Sequence, residues 1–407
     1  MYKYFFLLCL VIRIVHFKFS GFDTTFCCDI SRYLDTSKSI IEGNYNLINE
    51  LFITAPIYSY YLALLRILDD KNFINLLIST QIVISSIGVV YIMKISRILF
   101  NDKNIEIITG ITFSVYPTTF FYVHMIAQET VFEFFFIISC FYFCKFTNKN
   151  KMKYLLLFLL FVTLALLTKS HVLIIIILLL LSIVILSETI KKKLYNIAIS
   201  LMVIGLITFP YGYYNYVKNK IYVISSSGPG MYMSSSHNDS IYNFLVEINS
   251  LEKLKNKDTI NLFPVQNKSI EKMNMKEKEN FWKKDALQWI ENNPKKFLKM
   301  KIYNFFHFVF PGVNINHYKF NKWLISFIIS APIYIGAYVA IYKCVKINIK
   351  KHLLILSCFI GMAIFSTIFM PVDRFTYVTL EPLLTIYFAY FIKKLFYERL
   401  NIKSKNY

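Results

Sequence analysis

The chain alternates long apolar runs with short polar turns, and the turns alternate in charge. From Phe73 onward the runs fall at 73–99, 105–123, 127–146, 154–169, 171–188, 194–213, 323–342, 353–370 and 375–392. Several exceed the roughly 18 apolar residues that span a bilayer. With residues 1–19 they predict ten transmembrane helices. Every second turn is rich in lysine: Lys94, Arg97 and Lys103, then Lys149, Lys151 and Lys153, then Lys191, Lys192 and Lys193, then Lys343, Lys346, Lys350 and Lys351. The intervening short turns carry only Lys169 and Arg374. Basic turns stay on the cytoplasmic side, so both termini are expected inside. The first run holds Arg13, His16 and Lys18 and no small-residue cleavage site follows it, so it reads as a retained span.

The polar stretches divide the chain into three parts. Residues 1–213 form an N-terminal membrane module that contains a first external loop, 20–71. Residues 214–322 form one large external region, and 323–407 hold the last spans and a basic tail. Within the first loop, Cys28–Gly43 has the spacing of a short amphipathic helix, with Asp29 and Tyr33 on one face. The segment 51–68 is half apolar and contains Pro56, which suits a partial or re-entrant helix. In the large region, Trp282, Ala286, Trp289 and Ile290 share a helical face before Pro294 interrupts it. Gly228-Pro229-Gly230 is a turn signal rather than a phosphate cradle, because no strand precedes it.

Composition narrows the class. Of 407 residues, 56% are hydrophobic and 18% aromatic, and the mean hydropathy is +0.49, well above a soluble domain. The fold expected is an all-α polytopic membrane protein. The net charge of +21 lies mostly beside the spans, as topology signals do, so no nucleic-acid partner is implied. The seven cysteines show neither a CxxC nor a zinc-ligand spacing.

Ionisable groups at span ends are costly and often functional. On the predicted outer side these are Asp29, Glu129, Lys169, His171, Asp373 and Arg374. Each has an ordinary explanation too. Glu129 begins a helix, where the dipole favours an acid. Lys169 reaches headgroups by snorkelling, and Arg374 anchors a span at the interface. The argument rests on their shared side: a carboxylate with several cations at membrane level suits transfer from a phosphate-bearing lipid.

These residues resemble a family. Asp29–x–x–Arg32–Tyr33 followed by Gly43 looks like the first external loop of the polyprenyl-phosphate-sugar-dependent glycosyltransferases of the GT-C superfamily. The bacterial family 39-type enzymes and the lipid A aminoarabinose transferases are the most similar. APIYSYYLALL at 55–65, YPTTFFYVHMIAQE at 116–129, LLTKSH at 166–171 and DRFTYVTLEPLLTIYFAY at 373–390 agree with family segments in order. So does the helix DALQWIENNPKKFLKMKI at 285–302. The chain departs from the family where Ile30 replaces an acidic residue, where Thr54-Ala55-Pro56 replaces Lys-Pro-Pro, and where Ser170 replaces a glycine.

The resemblance implies an inverting glycosyltransferase of the external membrane face, in a bacterial plasma membrane. Asp29 is the expected base. Lys169, Arg374, Arg13 and His171 are expected to meet the donor phosphate. Glu129 and Tyr33 are expected to position the acceptor, or Glu129 to ligate a divalent cation, the one cofactor left open. The donor implied is a polyprenyl-phosphate-linked sugar and the acceptor a protein, lipid or glycan. The absence of a nucleotide-binding domain agrees with a lipid-linked donor. Two other classes share the hydropathy pattern. A flippase or secondary transporter would show internal repeats, and none is visible. A surface-polysaccharide polymerase or ligase would use loop arginines, and 214–322 contains none.

Overall fold

The computed structural model describes residues 1–20, 30–43, 55–226, 229–247, 270, 273–313, 320–369 and 373–405. All regular structure among them is helical. The first half comprises α1 (Tyr2–Ser20), α2 (Ile30–Glu42), α3 (Pro56–Leu68), α4 (Phe73–Phe100), α5 (Lys103–Val115), α6 (Glu129–Lys149), α7 (Met152–Leu166), α8 (Val172–Leu186) and α9 (Ile190–Asn219). Then follow α10 (Pro229–Ser236), α11 (Asp239–Tyr242), α12 (Met275–Asn292) and α13 (Pro294–Val309). The last helices are α14 (Phe320–Asn348), α15 (Leu353–Ile368), α16 (Asp373–Thr379) and α17 (Glu381–Lys405).

Most of the apolar runs are helical where described, but their lengths differ from the predicted spans. Among the described residues, four stretches are both long and apolar enough to cross a membrane: Phe73–Phe100, Glu129–Lys149, Ile190–Asn219 and Phe320–Ile368, the last containing α14 and α15. Helices α7 and α8 are apolar but shorter. At 1.5 Å per residue, their 15 residues cover about 22 Å, less than the ~30 Å hydrocarbon layer. The run 105–123 is not one helix. It stops at Val115 because Tyr116, preceding Pro117, takes extended backbone angles, and two 3₁₀ turns follow, Pro117–Thr119 and Phe121–His124. Those turns bring Thr118, Thr119 and His124 to the interior.

Local signals set the helix ends. Asp102 caps α5 by accepting from the amides of Asn104 and Ile105, at 2.9 and 3.1 Å. Asn274 and Glu277 form a capping box on α12. Pro294 ends α12 and opens α13 as its first residue. The amphipathic stretch of the first loop is helical over Ile30–Glu42 and closes at Gly43, whose φ of +65° favours glycine. Asp29 and Gly228 lie outside the described residues.

The core lies among α4, α6, α7, α8, α14, α15 and α17, filled by side chains such as Phe132, Phe136, Phe143, Phe158 and Tyr387. Helices α8 and α15 approach closely at Gly361, where a β-carbon would stand 2.7 Å from Ile175. Helix α9 lies at the margin. Its Leu194, Leu201, Leu206 and Phe209 are exposed, as a lipid-facing helix requires. A second cluster seats α2 on α3: Tyr33 and Tyr58 meet edge to face at 5.0 Å, beside Leu62, Leu65, Ile126 and Val131. The hydrophilic region forms its own layer. Glu279 of α12 accepts from the Gly230 amide at 2.9 Å, Ser234 donates to Asp285 at 3.2 Å, and Trp282 and Ala286 are buried. Phe308 of α13 packs on Phe359 of α15 at 5.4 Å, which fixes that layer to the membrane bundle.

Candidate active site

Three turns meet at one end of the bundle: the start of α6, the α7–α8 turn, and α16. The α7–α8 turn is built by helix-end bonds, with the Thr168 and Lys169 amides both donating to the Ala165 carbonyl. Outside partners hold it as well. The Ile57 amide donates to the Leu167 carbonyl at 3.1 Å, the Ser225 hydroxyl donates to the Leu166 carbonyl, and Ser226 bonds Ser170 at 2.8 Å. The turn therefore stands between α3 and the strand of chain that leaves α9.

On this frame Lys169 Nζ lies 2.6 Å from Glu129 Oε1, with both side chains only 2% exposed. Arg374 Nε stands 3.7 Å from the same carboxylate oxygen, with its side chain 30% exposed. The ring of Phe375 supports the cations. Lys169 Nζ is 4.5 Å from its centroid and the Arg374 guanidinium carbon 5.5 Å. His171 stacks on that ring at 4.7 Å and 7° and also touches Phe132 and Phe365. Among the described residues neither His171 ring nitrogen has a hydrogen-bond partner, although the residue is buried. Four of the predicted residues, Glu129, Lys169, His171 and Arg374, are thus brought together from positions up to 245 apart in the chain (374 − 129).

Of the other predicted residues, Asp29 lies outside the described residues, and Tyr33 and Arg13 go elsewhere. Tyr33 is buried against Tyr58 and holds α2 to α3, so its ring does packing work. Arg13 is fully buried further along the bundle. Its Nε donates to Ser85 at 2.8 Å and its Nη1 to the Cys9 carbonyl at 3.4 Å, and its guanidinium carbon lies 5.5 Å from the Phe120 ring centroid. It interacts with the charge of Glu133, one turn along α6 from Glu129. Glu129 spends its Oε1 on two cations. Among the described residues no group of three or more His, Cys, Asp or Glu could hold a metal ion.

Sequence reasoning passed over a second polar cluster deeper in the bundle. Glu381, fully buried, accepts from the Tyr334 hydroxyl at 2.6 Å and from Thr118, and Tyr116 donates to Ser330 at 3.1 Å. The available signal was an acid inside an apolar run, at Glu133 and at Glu381, each expensive unless paired.

An all-helical membrane bundle with buried charges gathered at one end defines the class, and solved structures share its fold. The chain is similar to the archaeal oligosaccharyltransferase AglB from Archaeoglobus fulgidus in complex with an inhibitory peptide and a dolichol-phosphate. That match has a TM-score of 0.58 at 12% identity, over 99% of this chain and 52% of that one. The apo form of the Archaeoglobus fulgidus oligosaccharyltransferase matches with a TM-score of 0.59 at 10% identity, over 100% and 52%. At such identity the likeness is one of fold, and it is the GT-C-like fold that the motifs resemble. The chain spans about half the length of these structures. More particularly, residues 54–214 match the family model of dolichyl-phosphate-mannose-protein mannosyltransferases. A search of curated proteins found no match. The matched segment begins just before α3 and carries Glu129, Lys169 and His171, while Arg374 lies beyond it.

Proposed function

We propose that the protein is a membrane glycosyltransferase that moves a sugar from a polyprenyl-phosphate donor to an acceptor at the external face. The observation that carries this reading is the meeting of Glu129, Lys169 and Arg374 between turns at one end of a GT-C-like bundle. The lysine pattern along the chain supports that end being the outer one. The family match and the peptide-bound structural relative favour a protein acceptor over a lipid or glycan.

The chemistry is one inverting displacement. An acceptor hydroxyl or amide gives its proton to Asp29 as its heteroatom bonds the anomeric carbon. The bond from that carbon to the phosphate oxygen breaks, and polyprenyl phosphate departs. The leaving group gains negative charge, and preorganised cations stabilise it more than they stabilise the ground state. Arg374, partly exposed, presents a planar guanidinium fork to the phosphate. Lys169 is buried on Glu129, so it acts through its field and by holding the carboxylate that orients Arg374. His171 adds one ring N–H that can donate to the same group, the other ring nitrogen of a neutral imidazole being an acceptor. Supporting the placement of Asp29, the residue precedes α2, which Tyr33 seats beside Ile126 and Val131, close to Glu129 in sequence.

The test is transfer of radiolabelled sugar in membranes supplied with defined polyprenyl-phosphate sugars. Asp29→Asn keeps the side-chain shape and removes the basicity. It should lower the rate by about 10² to 10⁴ while the protein accumulates normally. Asp35, exposed on α2, serves as the control, and Asp35→Asn should match wild type. Full activity in Asp29→Asn would remove this assignment of the loop.

A further inference from the structure

The hydrophilic layer touches the membrane bundle at a specific place, the end of α15. A helix leaves its last four carbonyls without intrahelical partners, and a buried end needs donors from elsewhere. Here they come from α13, more than sixty residues earlier in the chain. Lys301 Nζ donates to the Ile368 carbonyl. Asn304, fully buried, points its Nδ2 at the carbonyls of Thr367 and Phe369, at 3.5 and 3.3 Å. Lys301 also meets His237 Nε2 at 2.7 Å, and His237 Nδ1 is 2.8 Å from the Met233 carbonyl at the end of α10. The ring is therefore a neutral tautomer that donates to Met233 and accepts from Lys301. A chain of bonds runs from α10 through His237 and Lys301 to the end of α15. Ile368 stands six positions before Arg374 in the sequence.

We propose that Lys301 is a positioning residue for Arg374: from the hydrophilic layer it fixes the end of the helix that leads into the site's partly exposed cation. A cationic donor suits this place, because a helix C-terminus carries partial negative charge. Packing of Phe308 on Phe359 brings α13 close enough for the reach. The same layer also touches the other cation's turn, through Ser225 and Ser226. The hydrophilic region thus braces both sides of the Glu129 carboxylate. This role rests on the proposed function only where it speaks of donor binding. The structural half stands without it.

The experiment compares Lys301→Met and Lys301→Arg in the full chain in nanodiscs, with two readouts. Amide hydrogen exchange needs no substrate. In Lys301→Met, the amides at 366–369 and 374–380 should exchange roughly tenfold faster, the loss expected for one hydrogen bond from a charged donor, while α4 is unchanged. Lys301→Arg should restore the wild-type rates. Binding of undecaprenyl phosphate is the second readout. Lys301→Met should weaken it as Arg374→Ala does, and the double variant should be no weaker than either single one, because both changes remove the same contact. Unchanged exchange at 366–380, or binding losses that simply add, would overturn the proposal. If wild type does not bind undecaprenyl phosphate, the functional reading falls, and the exchange result still decides the role of Lys301.

Discussion

Two lysine–carboxylate pairs sit at opposite ends of the bundle. Lys169 and Glu129 meet at 2.6 Å with both side chains 2% exposed. Lys393 and Asp102 meet at 2.5 Å with side chains 32% and 24% exposed. The distances are nearly equal, and the environments are not. At the lysine-rich end water screens the charges, and Asp102 already has work as the cap of α5. At the other end the charges have been taken out of water. Desolvation there is repaid only by close pairing and by further partners. Arg374 and the ring of Phe375 are those partners. A short ion pair is informative about function when it is buried and shared, and is ordinary when it is wet.

The largest effect should come from breaking the buried pair. Lys169→Met removes the cation closest to Glu129 and should cost about 3–5 kcal/mol of stability, measured by thermal or denaturant unfolding in detergent. Adding Glu129→Gln should recover most of that stability, since no lone buried charge remains, yet transfer should stay lost. Recovery of transfer in the double variant would make the pair structural only. Next in size, Arg374→Ala should lower turnover about 10²-fold or more while stability changes little, because its side chain is partly exposed. A loss confined to KM would point to uniform binding instead.

A smaller effect should appear with pH in the layer above the site. Burial, with help from the Lys301 charge, lowers His237 to about 4, and burial lowers Lys301 to about 7. Between pH about 4 and the ordinary histidine value, the unfolded chain binds the His237 proton and the folded chain does not. Stability therefore rises with pH across that window and is lost as pH falls through it. Lys301 behaves alike from about 7 up to the ordinary lysine value. Amide exchange in α10 and α13 should quicken as pH is lowered from 6.5 to 4, after correction for intrinsic rates. A flat profile in His237→Gln would assign the change to His237. The smallest effect should be at the wet pair: Lys393→Met should cost no more than about 1 kcal/mol and leave transfer intact. A cost equal to that of Lys169→Met would erase the distinction between the two ends.

Much of this was legible in the chain. A period of about 3.6 in long apolar runs makes helices wherever backbone groups cannot meet water, and nearly every predicted run is helical. Pro294 and Gly43 mark helix boundaries for local steric reasons. Glu129, Lys169, His171 and Arg374 were recognisable because charge at a span end is costly. The 105–123 run misled, since apolar content alone does not register what Pro117 does to Tyr116. Arg13 was grouped with the site because it is a cation near a span end, and its Ser85 and Glu133 partners lie on other helices that no local pattern names.

By itself, then, the sequence determined the class, the helices and the list of charged groups available to one end, because those follow from hydropathy and from interactions within a few residues. Which charges share an oxygen was decided by tertiary structure alone. Glu129, Lys169 and Arg374 lie on separate segments, and only packing of α6, α7 and α16 sets them at 2.6 and 3.7 Å. The same holds for Lys301 on the Ile368 carbonyl. A long-range pair needs two helices to arrive at one place, and neither helix carries that address in its own sequence.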